Sequence, residues 1–166
     1  MNKEYKAYYQ SEIGLLEIVG TSKTINTIDF IEAEEKSENL AEIDMPPMIV
    51  DCLTQLDEYF RGERQTFSFN LDPEGTEFQK VVWRQVTTIP YGQTASYLDI
   101  ARLIGNEKAV RAVGAANGQN KIVIVIPCHR VVGSDGKLTG YGGGLWRKAW
   151  LLNHERRFSS GQMTLF

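Results

Sequence analysis

The chain has 166 residues, enough for one domain with a full core or for two small ones. Its hydrophobic and charged fractions, 42% and 23%, are those of an ordinary globular protein and argue against a disordered chain. No apolar run approaches the roughly 18 residues of a membrane span. The N-terminus has no signal-peptide core, and the two cysteines, Cys52 and Cys128, are too few for a disulfide framework, although a bridge between them stays open. A reducing, cytoplasmic setting away from membranes is expected. The net charge of −3 hides an asymmetry. Residues 1–76 carry 6 Lys+Arg against 16 Asp+Glu, a net −10, and residues 77–166 carry 12 against 5, a net +7. Such a division suits a protein whose second half faces a polyanion, and it also suits an uneven solvated surface.

In chain order, residues 5–10, 14–20 and 24–31 alternate or cluster β-branched and aromatic side chains around turn signals at Gly14 and Gly20. They predict a small antiparallel sheet. Residues 33–44 are acidic and predict a loop with a little helix. Pro46-Pro47 then opens a helical spacing of Ile49, Cys52, Leu53, Leu56, Tyr59 and Phe60, which ends at Arg61-Gly62-Glu63. Cys52 lies on the apolar face of that helix, as a structural thiol does. Asn70 to Gly75 is turn chemistry and coincides with the charge switch, so the boundary is expected there: one domain over 1–75, a second over 76–158 and a tail over 159–166.

Thr76 is placed to cap a helix whose face is Phe78, Val81, Val82, Val86 and Ile89, broken by Pro90-Tyr91-Gly92. Ser96 to Ile104 predicts a short helix closed by Gly105, and Asn106 is placed to cap the next, which runs to about Asn117. The pair fits a helix-turn-helix, and it fits a plain helical hairpin equally well. Ile122 to Ile126, five branched apolar residues, predicts a buried strand that Pro127 ends. Cys128 would then stand at the strand's end beside His129, facing the glycine-rich stretch Gly133–Gly144. Leu145 to about Glu155 predicts a last helix. The fold class is α/β in the α+β sense: a sheet-plus-helix domain followed by a mostly helical one.

A thiol next to an imidazole is the residue pair that nucleophilic chemistry uses, because a thiolate is a far better nucleophile than a thiol. Glu155 is available to orient His129. Adjacent residues on an extended segment face opposite ways, which favours a relay through water over direct contact. These residues alone fit a turning-over cysteine hydrolase, and the helix pair fits a non-catalytic DNA binder.

Pro127-Cys128-His129-Arg130-Val131 resembles the active-site signature of the O6-alkylguanine-DNA alkyltransferases, the methylated-DNA–protein-cysteine methyltransferases. The resemblance extends through Ser96-Tyr97, Arg111-Ala112-Val113-Gly114, Gly118-Gln119-Asn120, Gly140-Tyr141 and Trp150 to Glu155, in the family's order. It covers Thr76 to Arg156 closely, whereas the first 75 residues match only in length and in a strand-then-helix pattern. The resemblance implies that Cys128 takes the alkyl group from O6 of guanine in double-stranded DNA and keeps it as a thioether, acting once. It implies that His129 acts through a water as base, Glu155 orients it and Asn120 supports the loop. Tyr97 would help rotate the nucleotide, and Arg111 would fill the gap left in the duplex. Main-chain groups of Val131, Tyr141 and Gly142 would line the base pocket. No cofactor and no metal are implied, and a monomer is expected.

Two positions and one metal site depart from the family's pattern. Lys121 stands where many members have proline, which touches the rigidity of the loop. Gly142 stands where some carry serine, so only main chain can serve there. The N-terminal zinc site of some members is absent, since residues 1–76 hold Cys52 and no histidine. The alkyltransferase-like branch, which lacks the cysteine, is disfavoured by Cys128. Ser159-Ser160-Gly161 is expected to be a flexible linker before Gln162-Met163-Thr164-Leu165-Phe166. That segment resembles the peptide by which bacterial repair and replication proteins dock on the sliding clamp.

Overall fold

The computed structural model describes residues 3–36 and 44–160. The chain divides into two compact units, Met1–Glu74 and Gly75–Phe166.

In the first unit, β1 (Tyr5–Ser11), β2 (Gly14–Gly20) and β3 (Ile25–Ile31) form an antiparallel sheet in the order β1-β2-β3. Tyr5 pairs with Gly20, and Leu15 pairs with Ile31. Alternation puts Ala7, Leu16 and Ile18 in the core with Ile28, and the register shift at Val19/Gly20 brings in Ile25 as well. Helix α1 (Pro47–Phe60) begins on proline at its first position and buries Ile49, Cys52, Leu56, Tyr59 and Phe60. Burial pushes the Cys52 thiol up to about 12, so it is an inert core group. Of the acidic stretch, Ala33–Glu35 form a short 3-10 turn, and 37–43 lie outside the described residues.

The second unit opens with α2 (Glu77–Val86). The Thr76 hydroxyl accepts from the Gln79 amide, and the Gln79 side chain accepts from the Thr76 amide, a complete capping box. Val82, Trp83, Val86 and Ile89 are buried, whereas Phe78 is exposed, so the buried face turns on Trp83. The Trp83 indole donates to the Ala116 carbonyl at 2.8 Å.

Ser96 ends the two-residue strand β4 (Ala95–Ser96) and caps α3 (Tyr97–Leu103) through a second box with Asp99. Gly105, at φ +79°, turns the chain toward α4 (Val110–Gly118). Asn106 makes no side-chain cap, contrary to expectation. A 3-10 turn over Glu107–Ala109 precedes α4 instead. Strand β5 (Val131–Val132) pairs parallel with β4, Ala95 opposite Val131, and α5 (Leu145–Ser160) closes the unit. That helix runs one turn past Glu155, so Ser159 and Ser160 are helical where a linker was expected; 161–166 lie outside the described residues.

The predicted strand over Ile122–Ile126 is not one. These residues coil in consecutive turns, with Val125 N donating to Val123 O, Ile126 N to Ile122 O and Cys128 N to Ile126 O. Ile124 has φ +73°, a conformation that a branched residue adopts only when its surroundings impose it. Burial of Ile122, Val123, Ile124 and Ile126 is real. A continuous apolar run reports that burial and carries no period to report the backbone's course.

Candidate functional site

Asn120 imposes the coil. It is 6% exposed, at the exit of α4, and its side-chain oxygen accepts from the Ile122 amide at 2.9 Å. Its amide nitrogen donates to the Ile126 carbonyl at 2.9 Å and to Cys128 Sγ at 3.1 Å. One side chain thus shapes the turn and aims a donor at the sulfur. Cys128 is 4% exposed and opens a 3-10 turn, Cys128–Arg130. It therefore does not sit on extended chain, and the expectation that Cys128 and His129 point to opposite faces loses its basis. Asn117, in the last turn of α4, donates to the Cys128 carbonyl at 3.2 Å.

His129 and Glu155 are both fully buried, with Nε2 and Oε2 2.7 Å apart. A carboxylate only accepts, so Nε2 carries the hydrogen and Nδ1 has the lone pair. Nδ1 is buried without a hydrogen-bond partner among the described residues. Burial, then the charges of Arg130 and Lys148, lower the His129 pKa against the pull of Glu155, so the imidazole is neutral at neutral pH. Burial opposes ionisation of Glu155, yet His129 and Arg130 outweigh it and hold the carboxyl well below the usual carboxylate range.

Glu155 also accepts from the Gly92 amide at 3.3 Å. Gly92 has φ +77°, and a Cβ there would collide with the Ser159 side chain, so glycine is required on both counts.

Tyr97 begins α3 and is half-buried. Its hydroxyl donates to the Thr139 carbonyl at 2.9 Å. The β4–β5 pairing sets Tyr97 beside the chain that leaves the Cys128 turn. Val131 is buried in β5, Tyr141 is half-buried, and Gly142 is exposed near the end of α4, where a Cβ would lie 4.0 Å from the Gly118 carbonyl. Arg111 is exposed on the first turn of α4, with Ala112 and Ala115 exposed beside it.

The structure thus pairs Asn120 with Cys128 and His129 with Glu155 across one short turn, Tyr97 reaches the loop near Gly140, and Arg111 is exposed on the surface of α4. The sequence reading missed Arg130, Asn117 and Lys148. Lys148 has no exposed surface, and its Nζ donates to the carbonyls of Thr139 at 2.8 Å and Gly140 at 3.3 Å and lies 3.5 Å from the Tyr97 hydroxyl. Burial lowers its pKa to about 8, with Cys128 acting in the opposite sense. Its spacing with Leu151, Leu152 and Glu155 on one helical face was the available signal. Among the described residues no group of His, Cys, Asp or Glu is placed to hold a metal ion, and no helix is long and apolar enough to cross a membrane.

Residues 77–157 match the family model described as the 6-O-methylguanine DNA methyltransferase DNA binding domain, and residues 5–73 match that family's ribonuclease-like domain. A methylated-DNA–protein-cysteine methyltransferase of Mycolicibacterium paratuberculosis is 47% identical over 163 residues, covering 98% of each chain. The constitutive enzyme of that name from Bacillus subtilis is 48% identical over 129 residues, 77% of this chain and 78% of that one. Among solved structures, the Mycobacterium tuberculosis O6-methylguanine methyltransferase superposes with a TM-score of 0.82 at 40% identity, over 96% of this chain and 97% of that one. A crystal structure of Mycobacterium tuberculosis OGT in complex with DNA superposes with a TM-score of 0.81 at 43% identity, over 91% and 92% of the two chains.

Proposed function

Because the chain belongs to the 6-O-methylguanine DNA methyltransferase family, we propose that it repairs O6-alkylguanine in double-stranded DNA by moving the alkyl group irreversibly to Cys128. The observation that carries this reading is the buried Cys128–Arg130 turn, in which the Cys128 sulfur takes the Asn120 donor and the next residue, His129, is paired with Glu155. The thiol proton passes through a water to His129 Nδ1. The thiolate attacks the alkyl carbon, an S–C bond forms as the C–O6 bond breaks, and the electron pair goes to the base. The proton taken from the thiol is returned to the base, which leaves as guanine. A thioether has no good leaving group, so each molecule acts once and needs no cofactor.

Thiolate attack in line with the C–O6 bond requires the base to leave the stack, at a cost of a few kcal/mol. We assign this to residues 76–158. Helix α4 enters the minor groove, Arg111 fills the gap, and the small exposed Ala112 and Ala115 allow close approach to the backbone. The basic second half supplies phosphate attraction. Tyr97 contacts the rotated nucleotide, and main-chain groups of Val131, Tyr141 and Gly142 line the base pocket. O4-alkylthymine is a second substrate on the same chemistry. The protein works as a monomer in the cytoplasm.

Duplex DNA labelled in the O6-methyl group tests this. Label is expected to move to the protein, stop at one equivalent and require Cys128. Multiple turnovers would point to a hydrolase, and unlabelled protein to a DNA binder. Arg111→Ala is expected to slow transfer from duplex DNA more than from the free base.

The Gln162-Met163-Thr164-Leu165-Phe166 segment supports a second partner. Leu165 and Phe166 would enter an apolar groove on the sliding clamp, with Gln162 hydrogen-bonding at its edge. Deleting 162–166 is expected to abolish clamp capture in a pull-down; unchanged capture, or none from the intact chain, overturns it.

A further inference from the structure

Arg130 is 6% exposed and directs its whole guanidinium inward. Nε donates to Glu155 Oε1 at 2.7 Å, Nη2 donates to Oε2 at 3.0 Å, and Nη1 donates to the Ile89 carbonyl at 2.7 Å. Oε2 is the same oxygen that receives His129 Nε2–H. One carboxylate is therefore shared between an imidazole and a bidentate guanidinium.

The sharing has a chemical consequence. A buried carboxylate that faced only an imidazole would draw a proton onto it and form an ion pair, leaving no lone pair on the ring. Arg130 supplies a permanent positive charge, so Glu155 is neutralised before His129 takes any proton. A second positive charge on the ring would then be buried beside a guanidinium.

We propose that Arg130 is a positioning residue for the transfer: by clamping Glu155 in a two-point grip it keeps His129 a neutral imidazole, with Nε2–H fixed on the carboxylate and the Nδ1 lone pair available for the thiol proton. It rests on the reading of His129 as the base for Cys128. The charged and titratable groups that act on His129 are Glu155 and Lys148 from α5 and Arg130 from its own turn; Cys128 acts on Lys148, and Tyr91, from the turn before β4, lies across Glu155. Burial, Arg130 and Lys148 all act against protonation, and only Glu155 favours it. A neutral His129 gives Glu155 a hydrogen bond and no charge, which leaves Arg130 as the cation that holds the carboxylate ionised.

The grip also joins segments. The Ile89 carbonyl and the Gly92 amide bind the two halves of the same Arg130–Glu155 unit, and the strand leading to Tyr97 follows directly. Loss of the fork would loosen that turn as well as change the charge.

The test is the single-turnover rate of labelled methyl transfer from duplex O6-methylguanine, measured across pH for wild type, Arg130→Lys and Arg130→Gln. Rates are normalised to protein able to accept label at completion. Arg130→Gln is expected to move the acid limb of the profile upward by about one pH unit, with Arg130→Lys moved less. A purely structural role would lower the rate equally at every pH, and an unmoved limb overturns the inference. Should both variants fail to fold, nitrogen NMR of His129 in the wild-type protein decides. A neutral ring with its proton on Nε2 at pH 7 supports the inference, and an imidazolium there overturns it. Wild-type protein that takes up no label at Cys128 defeats the underlying reading of the base; normal uptake with an unmoved limb defeats only the role of Arg130.

Discussion

The Asn120 side-chain amide donates to Cys128 Sγ at 3.1 Å while the same group holds the Ile126 carbonyl at 2.9 Å. One residue at the exit of α4 therefore shapes the path of the chain into Cys128, the proposed nucleophile, and offers its sulfur a donor that would stabilise negative charge. Replacing it with alanine leaves the Ile122 amide buried without this partner, whereas the Ile126 carbonyl keeps its bond from the Cys128 amide. The orphaned amide costs about 1–3 kcal/mol. Asn120→Ala is expected to lose about 1–3 kcal/mol in urea unfolding and to slow methyl transfer by more than tenfold in the folded fraction.

Acid is expected to weaken the fold in two steps. Both His129 and Glu155 are held below their ordinary pKa values, so the unfolded chain binds more protons than the folded one. The stability each contributes is present above its unfolded value and is lost as pH falls beneath it. His129 sets the first loss below about 6.5 and Glu155 the second below about 4.5. Urea midpoints at pH 7.5, 5.5 and 3.5 check this, and His129→Asn is expected to flatten the first step only.

Lys148 gives a prediction of the opposite kind. Its pKa is lowered to about 8 by burial, so between pH 8 and 10 the folded chain binds fewer protons and stability rises with pH. Lys148→Met is expected to abolish that rise and to leave stability at pH 7 within about 1 kcal/mol of wild type or above it, since burying the charge is costly. Methyl transfer is nevertheless expected to fall, because the ties to Thr139, Gly140 and the Tyr97 hydroxyl are lost. Stability and transfer measured on the same preparation separate the two effects.

Alkylation is expected to destabilise the protein that carries it out. Cys128 is 4% exposed in a close-packed turn, and an added methyl has to displace its neighbours. Overpacking of this size costs about 1–3 kcal/mol. The melting temperature after one equivalent of methyl transfer is expected to fall by about 3–10 °C, and an unchanged value would refute it.

Local chemistry was legible in the sequence wherever it is local in the fold. The three strands follow from alternation, and Thr76 and Ser96 cap as their side chains dictate. Cys128, His129, Glu155 and Asn120 were singled out on the motifs that resemble the family's, and the structure pairs Asn120 with Cys128 and His129 with Glu155. The misread segments are those whose composition does not state the course of the backbone. Ile122–Ile126 has strand composition, yet Asn120 bends it around itself. Asn106 has the chemistry of a cap, and the chain enters a 3-10 turn instead. Arg130 is a charged side chain whose burial depends on where Glu155 and Ile89 lie, which no spacing within its own segment states, whereas the burial of Lys148 was open to the spacing of its helix.

The coil over Ile122–Ile126 has one more consequence. Five branched apolar residues without a charge are the composition of a segment that stacks between chains into cross-β fibres. In the folded protein their backbone bends through Ile124 and is tied to Asn120, so no extended edge is offered to another molecule. The fold thus acts as a guard on this aggregation-prone stretch, and the guard stands directly beside the Cys128 sulfur. On the proposed transfer to Cys128, spent protein, loosened at that point, is expected to leave solution faster than unspent protein, so that a single use would end in removal as well as inactivation.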